Sequence, residues 1–317
     1  MNNNTKINCW LILFVIIFSW GNLYAQVNGS NETLAKKEEV KLPEKGWKKL
    51  NTERYPGKQD DITFINETEG WYVNGYGSIY HTKNGGESWE KQLEKKGTFF
   101  RSIAFVDSLV GFAGTVGTDY FPNVTDTIPL YETKDGGKTW KPVDYKGPYV
   151  KGLCAIDIVK EQYINHGKID YKIHIYAVGR VGSPANMMVS HDGGLTWASN
   201  NMNNDCKMLF DIKMFDKNNG FVCAASDEDI EKSNALILKT SDGGKTWKKG
   251  GTLPQGTYSF AVSGIASSRL YAASDSGLSV SDNDGMSWKA VTTDNFPATL
   301  VHTTADGKLY AFVVVKA

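Results

Sequence analysis

One octapeptide recurs five times in this chain, and the repeat decides what the chain can fold into. Its clearest copy is T-K-D-G-G-K-T-W, from Thr133 to Trp140. The other copies span residues 82–89, 190–197, 240–247 and 281–288, and the tryptophans that end successive copies lie 51, 57, 50 and 41 residues apart. A repeat of this period indicates one small structural unit stacked several times.

Each copy has the chemistry of a tight β-turn. Glycine at the fifth position can adopt a positive φ without a Cβ clash. Asp or Asn at the third position can accept hydrogen bonds from backbone N–H groups, and the terminal Trp offers a large ring that can wedge between sheets. We predict structural roles at these two positions for Asn84, Trp89, Asp135, Trp140, Asp192, Trp197, Asp242, Trp247, Asn283 and Trp288.

Short apolar runs rich in β-branched and aromatic residues surround each copy. In the first unit they include 62–65, 70–73 and 79–81, separated by Gly, Asn and Asp, and such runs predict strands. Four antiparallel strands per unit make the blade of a β-propeller. The sequence predicts an all-β propeller with five complete blades, at about 60–92, 99–143, 150–200, 207–250 and 257–292.

A sixth blade begins near Ala298 and stops before its third strand, so the ring is either six-bladed or a shortened seven-bladed one. The segment Gly46–Leu50 matches the start of a fourth strand. We expect it to complete the last blade and so remove an exposed sheet edge.

The pattern S/T-x-D-x-G-x-T/S-W resembles the Asp-box, or BNR repeat, of sialidases, sortilin-type receptors, xyloglucanases and photosystem II stability/assembly factors. The chain is most similar to the last family, over Ile62 to Trp89 and over Phe100 to Phe105. The resemblance covers roughly residues 60–292 and implies the propeller fold. It is weakly specific for activity, because unrelated activities share the repeat.

The N-terminal region predicts export. Lys6 precedes an apolar run from Cys9 to Trp20, and Ala25 offers a cleavage point, which is typical of a secretory signal peptide. We therefore predict a signal peptide over 1–25, a polar tether over 26–45 and one propeller over 46–317, in the periplasm, on the cell surface or secreted. The alternative is an uncleaved membrane anchor.

Charge and cysteine content restrict the function classes. The chain has 35 basic and 35 acidic residues, a balance that argues against a nucleic-acid binder. The three cysteines that follow residue 25 are Cys154, Cys206 and Cys223, an odd number that argues against a disulfide framework. We expect them buried, with a Cys206–Cys223 bridge as the alternative, and we expect a monomer.

Binding residues are expected on the face opposite the repeated turns. Two long loops, 117–129 and 225–234, depart from the repeat there, and loops on a rigid scaffold often carry function. The resemblance implies an arginine patch near the top of the propeller channel, where Arg101 fits best. The candidate binding residues are Arg101, Tyr120, Phe121, Asp126, Arg180, Asp227 and Asp229. The alternative for the two loops is a solvated surface.

Catalysis is not favoured by the residue pattern. Phe100-Arg101-Ser102-Ile103 lacks the proline of the sialidase F/Y-R-I-P signature, and the five histidines show no metal-ligand spacing. We predict a non-catalytic scaffold for assembly or stability, without cofactor or metal, that binds a protein such as a membrane-associated complex, or a glycan. The alternative is a glycan-binding or sialidase-like glycoside hydrolase propeller, for which Asp60, Asp61, Asp126 and Asp227 are the available carboxylates.

Overall fold

The computed structural model describes residues 11–18, 25–26, 49–54, 59–119, 121–229, 232–254, 259–266, 268–274, 277–291, 298–303 and 309–316. Within these ranges the elements of regular structure are β-strands. A search of the same ranges for a helix long and apolar enough to cross a bilayer finds none.

Among the described residues, three strands of eight, two and two residues precede the first blade. In chain order the strands are β1 (Leu11–Phe18), β2 (Ala25–Gln26), β3 (Lys49–Leu50), β4 (Gln59–Phe64), β5 (Gly70–Asn74), β6 (Ser78–Thr82), β7 (Glu90–Glu94), β8 (Phe100–Phe105), β9 (Gly111–Thr115), β10 (Leu130–Thr133), β11 (Lys141–Pro142), β12 (Ala155–Asn165), β13 (Lys168–Gly179), β14 (Asn186–Ser190), β15 (Ala198–Asn201), β16 (Met208–Met214), β17 (Gly220–Ala225), β18 (Ala235–Thr240), β19 (Lys248–Lys249), β20 (Ser259–Ala266), β21 (Arg269–Ser274), β22 (Gly277–Ser281), β23 (Lys289–Ala290), β24 (Ala298–Thr303) and β25 (Leu309–Lys316).

Strands β4 to β23 form five four-stranded antiparallel sheets, each made of four consecutive strands. The first strand of each sheet packs beside the first strand of the next, in the order β4, β8, β12, β16, β20 and then β24. Each sheet is one blade of a propeller, and the prediction of five complete blades is confirmed. We number the blades 1 to 5 in chain order.

Apolar cores fill the spaces between successive blades. The second strand of blade 4, β17 (Gly-Phe-Val-Cys-Ala-Ala), is buried on both faces because blade 3 covers one side and blade 5 covers the other. Between blades 1 and 2, Trp71 stacks on Phe105 with ring centroids 3.6 Å apart. The short fourth strands β11, β19 and β23 lie at the rim and are exposed.

The three cysteines are buried and form no disulfide. Cys206 belongs to the core between blades 3 and 4, whereas Cys223 belongs to the core between blades 4 and 5. The alternative bridge is absent because the two thiols lie on opposite sides of blade 4. Burial raises the pKa of the Cys206 thiol to about 12.

The last sheet departs from the predicted closure. Strands β24 and β25 are joined by β1, which pairs antiparallel with β25. Of the predicted closing segment, Lys49–Leu50 is described, and it pairs in parallel with β2. In the described strands the closing segment is therefore not paired with the last blade, and Trp47 lies outside the described residues. The boundaries of the signal peptide, the polar tether and the propeller stay predictions.

Leu50 packs against blade 1. Its side chain lies against Gly86 in the first repeat turn. Gln92, three residues after Trp89, lies against Gly137 of the second repeat turn in the same way. Leu50 therefore contacts the first repeat turn as Gln92 contacts the second.

Candidate functional site

The blade topology divides the loops between two faces of the propeller. Loops between second and third strands, and the links between blades, lie on one face, which we call the loop face. Turns between first and second strands lie on the other face with the repeated octapeptides, and we call this the turn face. The two kinds of turn are joined there by backbone bonds, as from Gly85 N to Thr68 O at 2.8 Å and from Gly136 N to Leu109 O at 2.9 Å.

Hydrogen bonds inside each octapeptide satisfy the polar groups that were predicted to be structural. Asp135 accepts bonds from the backbone N–H of Thr139 at 2.8 Å and from its hydroxyl at 2.7 Å, and Gly137 N donates to the Thr133 hydroxyl at 2.9 Å. The Thr139 bonds lower the pKa of Asp135 to about 2. The same pattern is built around Asn84, Asp192, Asp242 and Asn283.

The repeat tryptophans pack against the blade interior. Trp197 and Trp288 are buried, whereas Trp89, Trp140 and Trp247 are half-buried. The indole N–H of Trp140 donates to Gly137 O at 3.1 Å.

Near the propeller axis, aspartates join the first strands of neighbouring blades. Asp61 accepts the backbone N–H of Ile62, in its own strand, and that of Ile103, in the next blade, each at 2.8 Å. Asp211 accepts the N–H of Val262, in blade 5, at 2.9 Å. A β-bulge precedes both aspartates and interrupts the register of their strands.

Burial changes the protonation of these aspartates. Loss of water around the carboxyl group raises the pKa of Asp61 to about 7, although the bonds from Ile103 and Ile62 oppose the shift. Burial likewise raises the pKa of Asp211 well above its usual range. Both carboxyl groups accept a backbone bond from the next blade.

Arg101 lies in this inner region and is already ion-paired. Its guanidinium donates to the Asp60 carboxylate at 3.2 Å and to the Asp60 carbonyl at 3.3 Å. Burial opposes its charge, but Asp60, followed by Cys154, Asp61 and Asp211, outweighs burial, and the net shift of the Arg101 pKa is upward. The structure thus places Arg101 on the channel wall, where its charge is largely balanced by Asp60.

Arg180 and Asp126 hold loops in place on the loop face. Arg180 is buried and donates to Thr118 O at 2.8 Å, across the boundary between blades 3 and 2. Asp126 is buried and accepts bonds from Tyr131 at 2.8 Å and from the ammonium of Lys95 at 3.0 Å. Burial opposes ionisation of Asp126, but its hydrogen bonds outweigh burial and lower its pKa.

Asp227 and Asp229 form a small, locally bonded turn. Asp229 N donates to the Asp227 carboxylate at 2.9 Å, and the Asp229 carboxylate pairs with Lys232 at 2.8 Å. Asp227 is half-buried and Asp229 is exposed. A search of the described residues for groups of three or more metal-ligating side chains with suitable geometry finds none.

Exposed aromatic rings surround the loop face. Phe121 is exposed and stacks on Phe99, with centroids 4.4 Å apart. Tyr76, in the corresponding loop of blade 1, is 55% exposed, and Tyr149, in the link between blades 2 and 3, is 59% exposed. Tyr120 lies outside the described residues. Sequence reasoning missed Tyr76 and Tyr149, although both follow glycine-containing turns (Asn74-Gly75 and Gly147-Pro148).

A cleft of about 460 Å³ opens on the turn face between blades 1 and 2, and its lining includes Glu69, His81 and Gln92. The His81 Nε2 lies 3.0 Å from the Glu69 carboxylate, and its Nδ1 lies 3.2 Å from Gln92 Nε2. Burial lowers the pKa of His81 despite Glu69. His81 also stacks on Trp71 at 4.4 Å, so the imidazole is built into the wall of the cleft.

No family model matches the chain, and no curated protein matches it. Among solved structures, the GH74 enzyme of Niastella koreensis is similar over 80% of this chain and 44% of its own, at 16% identity and a TM-score of 0.52. U3-55K is similar over 77% of this chain and 70% of its own, at 7% identity and a TM-score of 0.55. YCF48 from Cyanidioschyzon merolae covers 80% of this chain and 94% of its own, at 14% identity and a TM-score of 0.42.

The first two likenesses show the fold, a multi-bladed β-propeller. The chain spans less than half of the GH74 enzyme's length. Propellers of this kind host unrelated functions, so the site and not the fold must carry a functional argument.

Proposed function

We propose that this chain is an exported, non-catalytic propeller that binds a protein partner through its loop face. The observation that carries the proposal is the set of exposed rings of Tyr76, Phe121 and Tyr149 on the loops and links of that face. Aromatic side chains that offer large contact areas from a rigid surface are enriched at protein interfaces.

Hydrogen bonds hold both ends of the loop that presents Phe121. Arg180 bonds Thr118 O, and Asp126 N and Thr125 N both bond Gly97 O, at 3.0 and 2.8 Å. Loops ordered in advance lose less conformational entropy on binding, which favours affinity.

The carboxylates also support a binding role over hydrolysis. Asp60 pairs with Arg101, Asp61 accepts two backbone bonds, and Asp126 accepts bonds from Tyr131 and Lys95. A glycoside hydrolase needs two carboxyl groups facing a shared substrate position, and these groups are engaged with the protein itself.

The test is affinity capture from envelope extracts of the source cell, with the wild type and a Tyr76→Ala/Phe121→Ala/Tyr149→Ala variant as baits. We expect a specific partner to be retained by the wild type and lost from the variant. The matched control is Leu195→Ala, which removes an exposed apolar side chain from the turn face. Equal capture by all three baits, or turnover of a fluorogenic sialoside or β-glucan by the wild type, would overturn the proposal.

A further inference from the structure

The first hairpin of blade 3 extends beyond the turn face. Blades 1, 2 and 4 end the pairing of their first two strands at Phe64–Gly70, Phe105–Gly111 and Met214–Gly220. In blade 3 the pairing of β12 with β13 continues to Asn165 and Lys168. The connecting residues His166 and Gly167 have φ of 49° and 77°, as a two-residue type I′ turn requires.

One side of this extension is apolar and exposed. We call this two-stranded extension the ribbon. Ile164 pairs with Ile169, and Gln162 pairs with Tyr171, so these four side chains share one side of the ribbon. Ile164, Ile169 and Tyr171 are 68%, 59% and 50% exposed. Exposed apolar groups gathered on one side of a projecting ribbon indicate a contact surface.

The apolar side is turned toward blade 2. Lys160 and Ile173, which pair with each other, lie on this same side. The Lys160 ammonium donates to Val106 O in blade 2, and Ile173 packs on the core between blades 2 and 3. On the opposite side Glu161 pairs with Lys217 of blade 4 at 2.8 Å. Ile164 and Ile169 therefore project beyond the turn face on the side of blade 2.

The ribbon also offers an edge. Strand β14 pairs with β13 from Ile175 to Gly179, and Gly193 N bonds Ile173 O at 3.1 Å. Residues 168–172 extend beyond that cover. Backbone groups in an antiparallel pair point alternately inward and outward, and a two-residue turn makes Asn165–Lys168 an inward pair. The N–H and C=O groups of Ile169 and Tyr171 therefore point away from β12. The carbonyl of Ile173, which accepts the Gly193 N–H, points the same way.

Charge selects what can pair with this edge. Lys168 and Lys172 are exposed and flank Asp170 on the side opposite the apolar one. The Asp170 carboxylate already accepts bonds from the Tyr163 hydroxyl at 3.0 Å and from Asn165 Nδ2 at 3.2 Å. Antiparallel self-pairing of the edge about Asp170 would set Lys168 opposite Lys172 twice, which is unfavourable. Acidic side chains opposite the two lysines are favourable.

We propose that residues 168–172 are a docking edge for an extended segment of a second protein, in which apolar residues alternate with acidic ones. The segment adds a strand to the ribbon. Its apolar side chains lie beside Ile169 and Tyr171, and its carboxylates meet Lys168 and Lys172. This surface lies on the face opposite the aromatic rings, and the proposal does not depend on the function assigned to them.

The test uses the full chain and a fluorescein-labelled peptide, Gly-Ser-Glu-Val-Thr-Val-Glu-Ser-Gly, read by fluorescence anisotropy. The control peptide carries Lys in place of both Glu. We expect the wild type to bind the Glu peptide at least tenfold more tightly than the Lys peptide, and a Lys168→Glu/Lys172→Glu variant to reverse that preference. Absence of binding to the Glu peptide, or an unchanged preference in the variant, overturns the proposal.

A second variant separates strand addition from simple charge attraction. Ile169→Pro removes an outward N–H without breaking a bond of the hairpin, since proline is tolerated at such edge positions. We expect at least a tenfold loss of affinity for the Glu peptide with an unchanged melting temperature. Unchanged affinity in Ile169→Pro overturns strand addition. Tyr149→Ala on the loop face should leave peptide affinity unchanged, so that failure here is distinct from failure of loop-face capture.

Two other occupants are tested with the same proteins. Concentration-dependent dimerisation in sedimentation velocity, if abolished by Ile169→Pro, would assign the edge to a second copy and overturn the proposal. Flotation with vesicles of phosphatidylcholine and phosphatidylglycerol, if lost in an Ile164→Ser/Ile169→Ser variant, would assign the apolar side to a membrane surface and also overturn it.

Discussion

The carboxylate of Asp211 accepts the backbone N–H of Val262 at 2.9 Å and so joins the first strands of blades 4 and 5. Its other oxygen accepts the N–H of Ile212 at 2.9 Å. One half-buried side chain therefore satisfies two backbone donors that belong to different blades.

Asp211→Ala should destabilise the protein by roughly 2–6 kcal/mol, because two backbone donors lose their acceptor and each buried donor left without a partner costs about 1–3 kcal/mol. Urea unfolding followed by tryptophan fluorescence measures the change. Asp227→Ala, in a loop on the loop face, is the control and should stay within about 0.5 kcal/mol of the wild type. Equal stability of both variants would contradict a structural role for Asp211.

Asp61 should make the folded protein less stable as the pH rises from about 4 to about 7. Its pKa is raised to about 7 by burial, so the folded state retains a proton that the unfolded state loses near pH 4. The free energy of unfolding then falls with pH, with a slope of up to about 1.4 kcal/mol per pH unit. Urea unfolding between pH 4.5 and 7.5 should show a shallower slope in Asp61→Asn than in the wild type, and an identical slope would contradict the assignment.

The aspartates of the repeat turns should make the protein less stable as the pH falls from about 4 to about 2. The pKa values of Asp135 and Asp242 are lowered to about 2 by bonds from Thr139 and Thr246. The stability they contribute is present above pH 4 and is lost as the pH falls toward 2. Thermal melts of Asp135→Asn/Asp242→Asn should lose less between pH 4 and 2 than those of the wild type.

Asparagine is a matched replacement in these turns because the chain itself uses it. Asn84 and Asn283 accept the backbone N–H of Ser88 and Ser287 at 3.0 and 2.9 Å, as the aspartates do for threonine. The double variant should therefore fold at pH 7. A wild-type-like loss of stability in acid would assign the acid sensitivity to other carboxylates.

Gly194→Ala should be more destabilising than Gly167→Ala, although both glycines have positive φ, at 91° and 77°. A Cβ on Gly194 would lie 2.5 Å from Cζ of Phe112, whereas a Cβ on Gly167 meets no atom within 4 Å. We expect a loss of about 1 kcal/mol at Gly167 from backbone strain alone, and roughly 2–4 kcal/mol at Gly194, where overpacking is added. Differential scanning calorimetry compares the two, and equal losses would contradict packing between blades 2 and 3 at this turn.

The repeat made the blades readable from the sequence because each octapeptide marks one turn between a third and a fourth strand. The glycines predicted to need positive φ have it, as at Gly137 with 90°. The strand runs were readable for the same reason, since short β-branched and aromatic segments end at glycine or aspartate.

The contacts of the candidate binding residues could not be predicted from the sequence. Arg180 is buried because it meets the carbonyl of Thr118, which is 62 residues away in the chain. Asp126 is buried because Lys95 and Thr98 of a preceding link reach it. Such contacts depend on how loops of neighbouring blades meet, and no local pattern encodes them.

The long hairpin of blade 3 had a local signal that the repeat obscured. Polar and apolar residues alternate from Lys168 to Ile173, directly after the glycine-containing turn His166-Gly167, as the second strand of a hairpin requires. The loops that depart from the repeat spacing were predicted on the loop face. The most exposed apolar pair of this hairpin, Ile164 and Ile169, lies on the turn face.

The glycine contacts of the repeat turns have a consequence for the order in which the blades can fold. Gly137, Gly194, Gly244 and Gly285 each lie against a side chain of the blade that comes earlier in the sequence: Gln92, Phe112, Met187 and Phe221. Each blade thus packs against side chains that precede it in the chain. The propeller can add blades in order from the N-terminal one, without waiting for the C-terminal strands.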